Sequence, residues 1–289
     1  MRDNSIDILR FIGLAMIILV HVNPPFVICQ LRCFDVPLML FVSGLTCPNK
    51  PVRNYWKYVK NRTLRLLVPT YLFLTVYFLV LWALQTLFGK SGYVDWKVVY
   101  ESYLGIGGIG YIWIIRIFLL IMLVTPLLYK INEAIKNDKW LLISIMGGVI
   151  LDTLIVWLTN EYLQNLGLKN FILDWVVNTI GYSTLFLLGI RMRFSIRKQK
   201  VFYLITLSLL VVAALTFYIC TKGLPIRISP TYKYPPQSYY LIYGLFVCCG
   251  LWCTRKYYSH FLENKLFLFI GQNTIWIYLY HIPLLIVSE

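Results

Sequence analysis

Charge is what this sequence has least of. Only 13% of its 289 residues are Asp, Glu, Lys or Arg, about half the share found in soluble domains, which excludes a water-soluble globule. Acidic residues are the scarcest, 12 against 27 basic ones. There are three histidines and seven cysteines, and no spacing among them suits a metal ion; small apolar packing is the ordinary role of cysteines placed as these are. Internal repeats and low-complexity tracts are lacking. Disorder is excluded as well, because 59% hydrophobic and 17% aromatic residues, with a mean hydropathy of +0.70, are the opposite of a chain that cannot bury enough surface. What remains is an all-α, polytopic transmembrane helical bundle. A span with its connection takes about 30 residues, so nine or ten spans fit. No room is left for a soluble domain, and residues 1–289 read as a single integral-membrane domain.

Apolar runs fall at 6–28, 34–48, 66–88, 111–130, 140–158, 174–190, 201–221, 238–254 and 266–287, which makes about nine spans. The second is short: 14 residues reach about 21 Å at 1.5 Å per residue, so a short, tilted or re-entrant segment is expected. No small-residue cleavage site follows the first run, which reads as an uncleaved helix. With the N-terminus placed in the cytoplasm, 19 of the 27 basic residues lie on inner segments and seven on outer ones. That asymmetry supports N-in. The net charge of +15 is therefore mostly topological, and no nucleic-acid partner is expected.

Ionisable groups at membrane depth each need a partner or a purpose. Arg10 and His21 share the first run, 11 residues apart; at 100° per residue they fall within about 20° on one face, separated by about 16 Å. The arginine sits toward the cytoplasm, where a guanidinium can hold a phosphate, and the imidazole lies farther out, where it can take a proton from a hydroxyl. Two plainer readings stay open: Arg10 snorkelling and paired with Asp7, and His21 as a hydrogen-bonded packing residue. Arg116 lies about five residues into its span, and Asp152, near the middle of the fifth run, is a candidate counter-charge to Arg116 or His21. Cys29 and Cys33 have a spacing that suits either a disulfide or a helix turn. Ser43 and Gly44 suit either close approach to a ligand or close helix packing.

Six motifs in order resemble the membrane acyltransferase-3 family. Asn4-Ser-Ile-Asp-Ile-Leu-Arg10 with His21 is similar to its opening, a basic residue, ten others, then His. Phe34-Asp-Val-Pro-Leu-Met-Leu-Phe-Val-Ser-Gly44 resembles its second segment, and Arg62-Thr-Leu-Arg65 before Pro69 resembles its inner-loop Arg-x-x-Arg. Trp113-Ile-Ile-Arg116 with Pro126, Lys233-Tyr-Pro-Pro236 before Tyr239-Tyr240, and Gly271-Gln-Asn-Thr leading to Tyr280-His281 are similar to its later helices and outer loop. The likeness covers the whole chain, which departs from the pattern in showing nine runs where members commonly have ten spans and in carrying no appended extracytoplasmic esterase-like domain.

The resemblance implies an O-acyltransferase of the bacterial plasma membrane, most often one moving acetyl from cytoplasmic acetyl-CoA to a hydroxyl of a surface polysaccharide or its lipid-linked precursor. It implies catalytic roles for His21 and Arg10, donor binding by Arg10, Arg62 and Arg65, and substrate-binding or supporting roles for Arg116, Ser43, Asp35, Lys233, Tyr234 and His281. For His281 a structural hydrogen bond is an equal alternative. The expected partners are acetyl-CoA, a saccharide and membrane lipid, with no metal. The competing reading is a carrier or flippase for an anionic metabolite or lipid-linked sugar, whose marks are inverted repeats and helices broken at the midplane. Gly147-Gly148 is the notable interruption in the sequence.

Overall fold

The fold is taken from a computed structural model that describes residues 3–47, 54–89, 94–163, 168–194, 206–207, 209–211, 214 and 233–288. The seventh run expected at 201–221 lies almost wholly outside the described residues, as do Cys220 and the basic residues Arg2, Lys50, Arg53, Lys90, Arg197, Lys198, Lys200, Lys222 and Arg227.

Helices follow from the solvent, since in lipid each backbone group must find its partner within its own segment. They are α1 (Asn4–Leu19), α2 (Phe26–Leu31), α3 (Asp35–Leu45), α4 (Tyr55–Phe88), α5 (Trp96–Leu104), α6 (Trp113–Ala134), α7 (Asp138–Tyr162), α8 (Leu168–Phe171), α9 (Asn178–Phe194), α10 (Ser238–Leu262), α11 (Lys265–Gln272) and α12 (Thr274–Ser288). No strand occurs among the described residues. The scarce polar residues mark the starts: Asp3, Asn54, Asp95 and Asn137 each accept a hydrogen bond from a backbone N–H in the first turn of the helix that follows. Gly89 and Gly105, both at positive φ, close α4 and α5.

Six stretches among the described residues are long and apolar enough to cross a bilayer: Asn4–Val22, Phe26–Leu45, Tyr55–Phe88, Gly110–Ala134, Asp138–Tyr162 and Leu168–Arg193, with Thr274–Leu285 as a shorter apolar helix. Their limits correct the sequence reading at three places. The first span does not run to 28, because a 3-10 turn at Val20–Val22, the left-handed Asn23 and two prolines end it. The second starts at Phe26 and is discontinuous, α2 being separated from α3 by a turn at Arg32–Phe34. The third begins at Tyr55, so Arg62 and Arg65 lie on a helix and not in a loop. Gly147-Gly148 continues unbroken within α7. The irregularity is instead a π-helical turn at Ile172–Val177, where Asn178 Nδ2 donates to the carbonyls of Leu173 (3.2 Å) and Asp174 (2.9 Å), groups that a regular ladder would have paired.

The chain divides into two compact units. The first comprises Met1–Pro51 and Val124–Gln272. In it α3 packs on α9 and α1, and α11 packs along α1. The α3–α9 contact is backbone on backbone: a Cβ on Gly44 would stand 2.2 Å from the Phe186 carbonyl oxygen, and one on Gly189 would stand 2.2 Å from that of Phe41. The far end of α9 supplies caps: Arg191 donates to the carbonyls of Asn132, in the last turn of α6, and Ile135 just after it, and Arg193 to that of Cys47 after α3. Two residues counted as topological charge thus also satisfy helix ends.

The second unit comprises Val52–Leu123 and Asn273–Glu289. In it α4 packs on α5 and α12. Tyr103 anchors α5, its carbonyl accepting from Tyr71 Oη at 3.1 Å and its hydroxyl bonding Thr75 at 2.7 Å. The loop after α5 folds back on that helix, Gly108 N–H donating to Glu101 (3.1 Å) and Ile109 N–H to Ser102 Oγ (2.8 Å). Gly108 has φ +66°, and a Cβ there would meet Ser102 Oγ at 2.2 Å.

Candidate active site

In the first unit, Arg10 lies on α1 one turn after Asp7, and its Nη1 donates to Asp7 Oδ1 at 3.2 Å. Asp7 also accepts from Gln272 Nε2 at 3.3 Å, and a Cβ on Gly271 would stand 1.9 Å from the Asp7 carbonyl oxygen. The Gly-Gln pair of the closing motif therefore grips the first turns of α1, helped by Phe11 stacked on Phe267 at 4.3 Å. The pairing with Asp7 holds Arg10 but leaves its side chain 28% exposed. His21 lies half-buried in the 3-10 turn beyond α1. That turn winds at about 120° per residue, rotating the imidazole some tens of degrees past the face that an unbroken helix would share with Arg10.

The strongest clustering of charge is at the break between α2 and α3. Asp35 is 1% exposed, Arg32 and Lys233 7% each. Arg32 Nη1 donates to Asp35 Oδ2, and Lys233 Nζ donates to both carboxylate oxygens at 3.2 and 3.1 Å. The ammonium also stands 5.5 Å from the centre of the Tyr234 ring. A Cβ on Gly13 would lie 3.7 Å from the Asp35 carbonyl oxygen. Along α1 the cluster thus falls between Arg10, about 4–5 Å to one side, and His21, about 12 Å to the other. Ser43 is turned away from such chemistry, its hydroxyl donating to Met39 O at 2.9 Å, while Gly44 serves the contact with α9.

Burial by itself would push the Lys233 ammonium down, but the Asp35 carboxylate and the field of Tyr234 outweigh it, and its pKa is raised above the ordinary 10.5. A raised lysine pKa stabilises the fold fully below the unfolded value, and this contribution is lost as pH climbs through the folded one. Thermal melts of the wild type and of Lys233→Gln are therefore expected to keep a constant separation from pH 6 to 9 and to converge above about pH 10.5. A separation that grows with pH would contradict the pairing.

Three further expectations resolve in this unit. Cys29 and Cys33 are free thiols that donate to the carbonyls of Pro24 (3.5 Å) and Cys29 (3.2 Å), so the spacing is that of a helix turn. Asp152 is wholly buried, with a carboxylate oxygen 2.9 Å from where a Cβ on Gly181 would stand, and forms no ion pair among the described residues. It is not paired with His21, because α7 turns it toward α9. Arg32, which sequence reading counted as an outer-loop charge, is in contrast a central member of the cluster. The signal that could have found it is the spacing Arg32-x-x-Asp35, one helical turn.

In the second unit, Arg62 is half-buried and Arg65 exposed on one face of α4, one turn apart, and neither pairs with a carboxylate among the described residues. Arg62 stands 5.8 Å from the centre of the Tyr58 ring. With 34 residues, α4 is about 51 Å long, well over the hydrocarbon thickness of about 30 Å, so its first turns have length to spare beyond the lipid. Arg116 is half-buried in the first turn of α6, with its Cβ 3.9 Å from where one would stand on Gly105. His281 is buried on α12, its Nδ1 bonded to the Tyr278 carbonyl and its ring 5.9 Å from that of Tyr111. The hydrogen-bonded alternative read from sequence is thus present. Tyr278 Oη in turn donates to the Tyr111 carbonyl.

An acyltransferase-domain family model, that of the acyltransferase-3 family, matches residues 3–289. No curated protein and no solved structure matches the chain. The motifs that carry the likeness fall where they have work to do, the opening one joined to the closing one through Asp7, Gln272 and Gly271. The match extends over practically all of an apolar helical chain, and the protein therefore belongs to the acyltransferase-3 family and is an integral-membrane acyltransferase.

Proposed function

We propose that the protein is an O-acyltransferase, in the first place an O-acetyltransferase, moving an acyl group from cytoplasmic acetyl-CoA to a hydroxyl of an extracytoplasmic or lipid-linked saccharide. In this reading residues 1–289 act as one domain in a bacterial plasma membrane, with the N-terminus inside. The observation that carries it is the arginine pair on α4. Two guanidinium groups one turn apart, neither engaged by a carboxylate among the described residues, suit the pyrophosphate and 3′-phosphate of CoA. His21 is the base: it takes the proton of the acceptor hydroxyl, whose oxygen attacks the thioester carbonyl; the C–S bond breaks, and the imidazolium returns the proton to the CoA thiolate. An acyl-imidazole formed first and then passed to the hydroxyl gives the same products. Arg10, pinned by Asp7, offers its partly exposed guanidinium to the donor. Asp35, Lys233 and Tyr234 serve the acceptor, with Ser43, Arg116 and His281 in support.

Acetyl-CoA is expected to raise the melting midpoint of the purified protein, whereas acetate is not. Arg62→Gln and Arg65→Gln should each weaken this response by roughly 10- to 100-fold in apparent Kd, the worth of a charge-assisted hydrogen bond. One observation favours a carrier instead: the second span is broken, with buried charge at the break, as transporter sites often are. Absence of any acetyl-CoA shift would favour that reading.

A further inference from the structure

The cluster at the break between α2 and α3 holds two cations and one carboxylate. Arg32, Lys233 and Asp35 are each at least nine-tenths buried, and both cations converge on Asp35, whose Oδ1 also accepts from the Val36 N–H at 2.8 Å. No second carboxylate reaches them among the described residues. One positive charge is therefore left without a counter-ion among the described residues. The geometry also leaves a donor unused, since the Nε of Arg32 is buried and donates to nothing among the described residues. A buried guanidinium N–H without an acceptor is uncommon and costly, and a buried excess charge is most stable with an opposite charge beside it.

We propose that this cluster is an anion subsite and that the acceptor saccharide is acidic, its carboxylate or phosphate group seated on the Arg32 Nε and the Lys233 ammonium. The ligand's identity as an acceptor rests on the acyltransferase reading; the anion site itself does not. The position suits the role, because the cluster lies beside Gly13, between Arg10 and His21 along α1. An acidic group held there fixes one end of a sugar whose hydroxyl lies toward the imidazole about 12 Å away, the distance of a sugar ring or two. Asp35 acts as the hinge of the cluster: it holds both cations in place and keeps the excess at a single charge, enough for one anionic group. Tyr234, half exposed beside Lys233, offers a ring face against which a sugar can lie.

The test is thermal stabilisation of the full-length protein in detergent by three probes: glucuronate, glucose 1-phosphate and neutral glucose. Glucuronate or glucose 1-phosphate should raise the melting midpoint where glucose at the same concentration does not, and the better of the two identifies the group as carboxylate or phosphate. Added salt should diminish the response. Lys233→Gln and Arg32→Gln each leave Asp35 one cation, so the fold should persist as a monodisperse peak in size-exclusion chromatography. Each should weaken the response to the acidic probe by about tenfold or more. Equal shifts with glucose, no shift with either acid, or an undiminished shift in both variants would overturn the proposal. Acetyl-CoA is run alongside: a shift with acetyl-CoA and none with the acids defeats the anion subsite alone, whereas shifts with the acids and none with acetyl-CoA defeat the proposed acetyl-CoA donor and leave the subsite standing.

Discussion

Membranes containing the His21→Ala variant should transfer acyl groups at a rate about 100- to 10,000-fold below wild type, the usual contribution of a positioned acid–base. The protein should accumulate normally. His21 lies in a half-buried 3-10 turn at the end of α1, outside the buried core, so alanine leaves no large core cavity. The measurement is incorporation of label from acetyl-CoA into saccharide, normalised to protein in the membrane. His21→Gln tests both chemical routes at once, since an amide can hydrogen-bond a hydroxyl but can neither accept its proton nor carry the acyl group. Both variants should therefore be inactive, and wild-type rates in either would remove His21 from the mechanism. Thermal stabilisation by acetyl-CoA should survive in both, because the arginines are untouched.

The largest structural effect is expected where α3 meets α9. The carbonyl of Phe186 occupies the place of a Cβ on Gly44, at 2.2 Å, and that of Phe41 the place of one on Gly189, at the same distance. Side chains in either position force two backbones apart along a contact that holds the first unit together, and overpacking alone costs about 1–3 kcal/mol even where neighbours can give. Carbonyls in helices cannot give. Gly44→Leu and Gly189→Leu should accordingly abolish the monodisperse folded peak or lower the melting midpoint by many degrees. Gly147 is the control, for nothing lies within 4 Å of a Cβ there; Gly147→Ala should be neutral or stabilising by up to about 1 kcal/mol. Equal melting curves for Gly44→Leu and wild type would refute the packing. The same contact explains the Ser-Gly ending of the second motif: the glycine serves α9, and the serine hydroxyl returns to its own helix.

Much of the fold is legible in the residues themselves. The low charge and long apolar runs require membrane helices, and Asp3, Asn54, Asp95 and Asn137 mark helix starts by local hydrogen bonds that any reader of capping preferences would expect. Arg10 with Asp7, and Arg62 with Arg65, are legible too, because one turn of a helix determines both pairs. What was misplaced followed from averaging over windows: the Pro24-Pro25 break lies inside an apolar stretch and hardly lowers its hydropathy, so one run concealed the end of α1 and the start of α2.

The tertiary structure decided the rest. Lys233 meets Asp35 across 198 residues of sequence, Gln272 and Gly271 close on Asp7, and Arg191 and Arg193 cap helices far from them in the chain. No window contains such pairs. The physical reason is particular to the bilayer: lipid is as apolar as the core, so the faces of a spanning helix that meet lipid and protein carry nearly the same residues, and periodicity does not reveal which face is turned inward. Sequence alone thus determined the solvent, the helices and the family motifs. Only the packing of α3 between α1 and α9 decided that Asp35, with Arg32 and the distant Lys233, forms a buried cluster beside the first helix.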